Sequence, residues 1–293
     1  MTGVVRMAHI SLNEEDVNVL LNVHDYTFID MDMAEKYFYS SYNNVGRKLN
    51  SLIDGGYLES YNGLFAKNHR PKKIYTLTAK GSQMVEELQG YSNFTTMRKL
   101  PINYLHTINV ARTVLAFKDA GDKLSDKMKV KEFENEKSAF FQYGTSKAEV
   151  IRPDGMFVIG FEDSEEENIG VLLEMENTKT KRSILKGKMK RYSEFFNDQA
   201  IQDRYQDKLS MYTEVRDWIV LFVGADSGLE IYTKNLLLRE KPKDNQKTND
   251  RPGIEFPTLL SNLEYIENDA YADIYFAMNE DDTSTRFSID EHL

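Results

Sequence analysis

The sequence predicts an α+β protein of two domains, the second with α/β order. Three observations carry this. The chain has 293 residues, and domains average roughly 150 residues each. In its first third, apolar residues recur at helical spacing and two short alternating runs flank a basic turn. Beyond residue 101 a long apolar helix precedes strand-like runs interleaved with helices, in the order α-β-β-β-α-β.

The elements follow in chain order. Over 12–23, Val17, Leu20 and Leu21 share one helix face, with Asn13 placed to cap it. A second helix is expected over 32–39. Val45, Leu49, Leu52 and Ile53 fall at i, i+4, i+7 and i+8, one stripe of a third helix, which Gly55-Gly56 stops. A short strand over 57–61, a basic turn over 67–73 and a return strand over 73–78 come next. Gly81 is expected to open a further helix over 82–89. Three helices and a basic-tipped hairpin resemble a winged helix-turn-helix, carried by Gly55 to Leu58 and Ile74 to Gly81.

The second part begins with a helix over 101–120, for which Pro101 suits the first turn. Strands are expected over 127–134, 155–160, 169–175 and 216–224, the last the most apolar and read as a central buried strand. A basic helix spans about 181–196 and another 229–238. The polar stretch 240–252 reads as a surface loop, and 271–277 as a last strand. The domain bounds are 1–95 and 96–278, with 279–293 an acidic, loose tail.

Composition narrows the chemistry. The chain has no cysteine, which excludes disulfides, thiolate zinc sites and cysteine nucleophiles. Its five histidines form no H-x3-H pair. No apolar run reaches the ~18 residues that span a bilayer, and Glu14, Glu15 and Asp16 come too early for a signal peptide. A cytoplasmic protein that does not enter membranes is expected.

The net charge of −10 argues against a polyanionic partner, but it is unevenly spread. Residues 1–110 hold 11 basic and 11 acidic side chains, and 41–80 carry a net +5. The stretch 178–191 has seven basic residues and no acid. A double-stranded DNA partner follows from where these charges sit. Asn43, Asn44, Arg47 and Lys48 on the third helix would meet base edges or phosphates. Lys67, Arg70, Lys72 and Lys73 on the hairpin, and Lys179, Lys181 and Arg182 beside the basic helix, would lie along phosphates.

Three carboxylates take telling positions. Asp154 opens the 155–160 strand, and Glu174 and Glu176 end the 169–175 strand two residues apart, on one side of the sheet. Converging carboxylates repel one another unless a cation intervenes, and oxygen ligands suit Mg²⁺ or Mn²⁺. Neutralisation by Lys and Arg of the following helix is the alternative. The pattern Pro153-Asp154 … Glu174-Met175-Glu176 resembles the PD-(D/E)xK nuclease fold, so a restriction-endonuclease-like domain is expected. Glu176 stands where that pattern has lysine, and Lys186 or Lys190 is expected to reach the site in its place.

Taken together, four stretches resemble the replication-relaxation family of plasmid and conjugative-element proteins, related to the MobC-type relaxases. They are the N-terminal helices and hairpin, Leu105 to Val110, Arg152 to Gly155, and Leu173 to Asn177 with Lys188 to Tyr192. The resemblance implies a DNA-binding protein acting at a plasmid origin or operator in replication or mobilisation, with other relaxosome or replication proteins as partners. It implies Asp154 and Glu174 as metal ligands supported by Glu176, with His106 facing the site from its helix. Packing against a strand carbonyl is the other reading of His106. Metal-dependent nicking and a non-catalytic DNA-binding accessory or regulator both stand, as does a scaffold that binds partners. Seventeen tyrosines single out no nucleophile for the tyrosine route. A homodimer is left open.

Overall fold

The computed structural model describes residues 12–40, 42–63, 72–90, 94–124, 128–164, 168–209, 213–239 and 254–289. The chain is a mixed α+β protein in two compact units, Met1–Ala111 and Arg112–Leu293.

In the first unit, α1 (Glu14–Tyr26) starts at a reciprocal cap: the Asn13 side chain accepts from the Asp16 N–H and Asp16 accepts from the Asn13 N–H. It buries Val19, Leu20 and Val23. Strand β1 (Ile29–Asp30) follows, and Asp30 caps the short α2 (Met31–Met33), which runs into a π-helical turn, Ala34–Phe38. Helix α3 (Val45–Asp54) buries Val45, Leu49 and Leu52 of the expected stripe and leaves its fourth member, Ile53, half-buried. Strands β2 (Leu58–Asn62) and β3 (Lys73–Leu77) form the antiparallel hairpin, and β1 adds to β3 in the order β1-β3-β2. Two residues of β1 leave no periodicity to detect, so the third strand is a structural addition.

Helix α4 (Ala79–Gln89) begins three residues before the expected 82, because Thr78 caps it by accepting from the Gly81 N–H at 3.1 Å. Gly81 does not open the helix. It lies against the hairpin, where an added Cβ would stand 2.2 Å from the Tyr57 carbonyl oxygen.

Helix α5 (Tyr104–Gly121) contains the boundary between the units. From Arg112 onward it packs on the second unit. Arg112 pairs with Glu267 at 2.7 Å, and Phe117 meets the rings of Phe157 and Tyr271.

The remaining elements are β4 (Met128–Asn135), α6 (Glu136–Ala139), β5 (Phe141–Gln142), β6 (Val150–Ile151), β7 (Gly155–Phe161) and β8 (Ile169–Glu176). They continue with α7 (Arg182–Phe196), α8 (Gln199–Leu209), β9 (Asp217–Gly224), α9 (Ser227–Leu238), β10 (Thr258–Asn262), α10 (Leu263–Asn268) and β11 (Phe276–Ala277). Among the described residues the main sheet has six strands in the order β11-β10-β9-β8-β7-β4. Strands β4, β7 and β8 pair antiparallel. Strands β8, β9 and β10 are parallel, joined by α7–α8 and by α9. Every residue of β8 is buried.

Of the elements added to the expected order (α6, β5, β6, α8, β10 and α10), two enlarge the core. The polar α8 is anchored by Ile201, Tyr205 and Leu209, a sparse i, i+4, i+8 stripe. Strand β10, five residues and wholly buried, prolongs the parallel run. The 240–252 stretch lies outside the described residues.

The expected loose tail is corrected over 279–289. Phe287 and Tyr275 exchange two backbone hydrogen bonds, and Ile289 is completely buried. Arg286 reaches the buried Glu230 at 2.8 Å and stacks over the rings of Tyr265 and Phe276. A buried acid partner and two ring faces hold a segment whose composition reads as solvated. Among the described residues no helix is long and apolar enough to cross a membrane.

Candidate functional site

In the first unit the outward face of α3 and its approach carries Asn43, Arg47 and Asn50, all exposed, at i, i+4 and i+7. Asn44 is half-buried at the helix start. Arg47 has no ion pair among the described residues. Asn50 escaped the sequence reading, although the stripe that buries Leu49 and Leu52 turns position 50 outward.

Lys48 departs from its expected place. It is half-buried, pairs with Glu15 of α1 and lies 4.5 Å from the centroid of the Tyr39 ring. Its ammonium, followed by the Ser40 hydroxyl, pulls the Glu15 carboxyl down to about 2. Lys48 therefore ties α3 to α1 and is not presented outward. On the hairpin, Lys73 is exposed, and Lys72 is exposed but paired with Asp32. Lys67 and Arg70 lie outside the described residues.

In the second unit the carboxylates gather where β7 begins and β8 ends. Strand alternation points Leu172, Glu174 and Glu176 to one face, under α7. Helix α7 sends Leu185, Met189, Tyr192 and Phe195 inward, and Leu172 joins them in one core. Lys188 comes in beside this stripe. Its Nζ stands 2.6 Å from Glu174 Oε2 and 3.1 Å from Glu176 Oε1. The Tyr192 hydroxyl donates to Glu174 Oε1 at 2.5 Å, and the Thr180 hydroxyl donates to Glu176 Oε2. Asp154 is half-buried at the neighbouring strand start. Its N–H donates to the Leu173 carbonyl and its Oδ2 accepts from the Met175 N–H, both at 2.8 Å, so it fastens β7 to β8.

Burial sets the electrostatics. It pushes the Glu174 carboxyl up to about 7, with Lys188 opposing and Asp154 adding to the rise. Burial pulls the Lys188 ammonium down, but Glu174, Asp154 and Glu176 outweigh it and hold the group protonated above its ordinary range. Burial, then Glu174, raises the Tyr192 phenol well above its usual value.

The expected Lys186 and Lys190 do not enter this cluster. Both are exposed, and Lys190 faces Glu194 at 3.7 Å. At about 100° per residue they fall out of phase with the inward stripe, whereas Lys188 is three residues past Leu185 and four before Tyr192. Lys179, Lys181 and Arg182 are exposed at the entry to α7. Lys179 lies 5.6 Å from the centroid of the Tyr232 ring, and Arg182 donates to the Arg239 carbonyl at 3.4 Å. His106 is half-buried on α5 and belongs to the first unit.

The donors test whether Mg²⁺ or Mn²⁺ fits. Three of the four oxygens of Glu174 and Glu176 accept hydrogen bonds, from Tyr192, Lys188 and Thr180, and the fourth, Glu174 Oε2, is ion-paired with Lys188 at 2.6 Å. Among the described residues no group of three His, Asp or Glu side chains is arranged to hold a metal ion. As it stands, the cluster does not fit the cation. It is a buried ion network closed by a lysine.

The fold and this network define a two-unit α+β protein with a mixed sheet and a self-neutralised carboxylate cluster. The Replication-relaxation family matches the chain over residues 30–208, and the chain belongs to this family. No curated protein matches it. Among solved structures it is similar to the restriction endonuclease FokI, at 11% identity and a TM-score of 0.32 over 88% of this chain and 44% of that one. The same endonuclease bound to DNA is matched at 11% identity and a TM-score of 0.28, over 86% and 43%. The chain thus spans less than half the length of these structures.

Proposed function

We propose that this chain is a DNA-binding protein acting in the replication or transfer of a plasmid or mobile element, without cutting the DNA. In this reading the first unit is a winged helix-turn-helix. Helix α3 enters the major groove and the β2–β3 hairpin lies along the backbone. The observation that carries it is the outward stripe Asn43, Arg47 and Asn50, beside the exposed Lys73. Asparagine and arginine offer the paired hydrogen bonds that read adenine and guanine edges. The exposed Lys179, Lys181 and Arg182 suit phosphate contact by the second unit. That unit is read as a nuclease-like scaffold whose carboxylates serve stability.

Fluorescence anisotropy with duplexes from the origin region of the encoding element tests this. Arg47→Ala with Asn50→Ala should weaken binding by about 10-fold or more, at ~1–3 kcal/mol per lost base contact. Unchanged binding would defeat the assignment. Supercoiled plasmid incubated with the protein and Mn²⁺ should stay closed. Nicking that Asp154→Ala abolishes would overturn the non-cutting part.

One observation favours cutting as a second reading. Asp154, Glu174 and Lys188 stand together as acid, acid and lysine, the residue types of the nuclease pattern, with the lysine supplied by α7. The same plasmid assay decides between the two.

A further inference from the structure

We infer that Lys188 is the resident cation of the Glu174–Glu176 pair, and that this pocket takes a divalent ion only when the lysine is removed. The proposal deepens the reading of the carboxylate cluster and is independent of DNA binding by α3.

Glu174 and Glu176 are 1% and 3% exposed, and their alternation along β8 turns both to the same side. Two buried carboxylates on one face need a positive charge between them. Such a charge comes from a bound ion or from a side chain. Here a single ammonium lies within 3.1 Å of an oxygen from each, the bridging position a shared cation would occupy. The remaining oxygen of each glutamate is held by a neutral hydroxyl, from Tyr192 or Thr180. A divalent ion would have to displace an ammonium that Glu174, Asp154 and Glu176 together hold in place.

Helix packing keeps the lysine there. Leu185, Met189 and Tyr192 bury the same side of α7, which fixes the direction in which Lys188 points. Its side chain is 17% exposed, so it is largely shielded from solvent. Removing it would leave two acids with oxygen donors facing one vacated volume, together with Asp154 at the neighbouring strand start. Hard oxygen donors of this kind suit Mg²⁺ or Mn²⁺.

The experiment compares the wild-type chain, Lys188→Ala, Lys188→Arg and Lys188→Ala with Glu176→Gln, all without DNA. Mn²⁺ is titrated calorimetrically, and melting midpoints are read with MnCl₂ and with EDTA. Wild type should bind no Mn²⁺ at this site and melt identically in both. Lys188→Ala should melt roughly 10 °C lower in EDTA and recover much of that loss in MnCl₂. The recovery should vanish with Glu176→Gln, and Lys188→Arg should behave as wild type. If Lys188→Ala does not fold in EDTA, the triple variant Glu174→Gln, Glu176→Gln, Lys188→Met, which removes every charge of the bridge, should fold and bind no Mn²⁺. Mn²⁺ binding by wild type that Glu174→Gln abolishes would overturn the inference. So would a Lys188→Ala protein that is as stable as wild type, or one that ignores Mn²⁺.

Discussion

Trp218 of β9 lies directly across from Gly170 of β8, with its ring filling the place of the missing side chain: a Cβ on Gly170 would stand 2.3 Å from the indole Cε3. The ring is 4% exposed and edge-on to Phe195 at 5.5 Å between centroids. Gly170→Ala should therefore force the indole or the strand aside. It should cost about 1–3 kcal/mol, the usual range for overpacking a core. Trp218 is the sole tryptophan, so urea unfolding followed by its fluorescence reads the loss. A midpoint equal to that of wild type would show that the ring yields freely.

Arg286 should be the most sensitive residue of the C-terminal segment. Its guanidinium meets Glu230, a carboxylate 3% exposed whose other oxygen accepts from the Asn262 amide at 2.8 Å. Arg286→Ala leaves that charge buried without its cation, at a cost of about 3–5 kcal/mol. Thermal melting checks this, and a loss below about 1 kcal/mol, typical of surface pairs, would mean that the segment is only loosely engaged.

Glu174 should give the fold a distinctive pH dependence. Its carboxyl titrates at about 7 when folded, against an ordinary value of 4.5. Between those values the folded chain keeps a proton that the unfolded chain releases. The stability this group contributes is complete below 4.5, declines as pH rises towards 7, and is gone above it. Glu174→Gln should flatten that slope. Melting midpoints taken from pH 4.5 to 8 on both proteins supply the test, and parallel curves would contradict the assignment.

Neighbouring basic residues on α3 should behave differently. Arg47 faces outward, and Arg47→Ala should weaken duplex binding by about 1–3 kcal/mol. Lys48 is held by Glu15 and Tyr39. Lys48→Ala should change stability by about 0.2–1 kcal/mol and leave affinity nearly as it was. An affinity loss from Lys48→Ala equal to that from Arg47→Ala would place both side chains on DNA.

Much of this architecture is legible in the sequence, for physical reasons. The α3 stripe Val45, Leu49 and Leu52, the Asn13 cap and the apolar run of β9 are local patterns that tertiary structure leaves intact. Strand β1 is too short to show a period, and the polar surface of α8 hides a three-residue anchor. Period 2 along β8 puts Glu174 and Glu176 on one face. Their partner was missed because charge count alone does not separate Lys186, Lys188 and Lys190. The apolar phase of α7 does: Leu185, Met189 and Tyr192 define an inward side that Lys188 borders. The docked segment around Arg286 could not be read from composition, because its partner Glu230 is 56 positions away in the chain.

Among the described residues, the two margins of the main sheet also bear on how open it is to a further strand. One margin is β11, two residues long. The other is β4, which carries Lys129, Lys131, Glu132 and Glu134, and its register shifts between Val130 and Glu132. A short strand at one side, and charge with a bulge at the other, are features that deny a template to an incoming strand. The four inner strands, β7 to β10, are almost wholly buried and largely aliphatic, and would be an aggregation hazard if they lay at an open edge. Here both described margins carry features that hinder pairing with a strand from another copy of the chain.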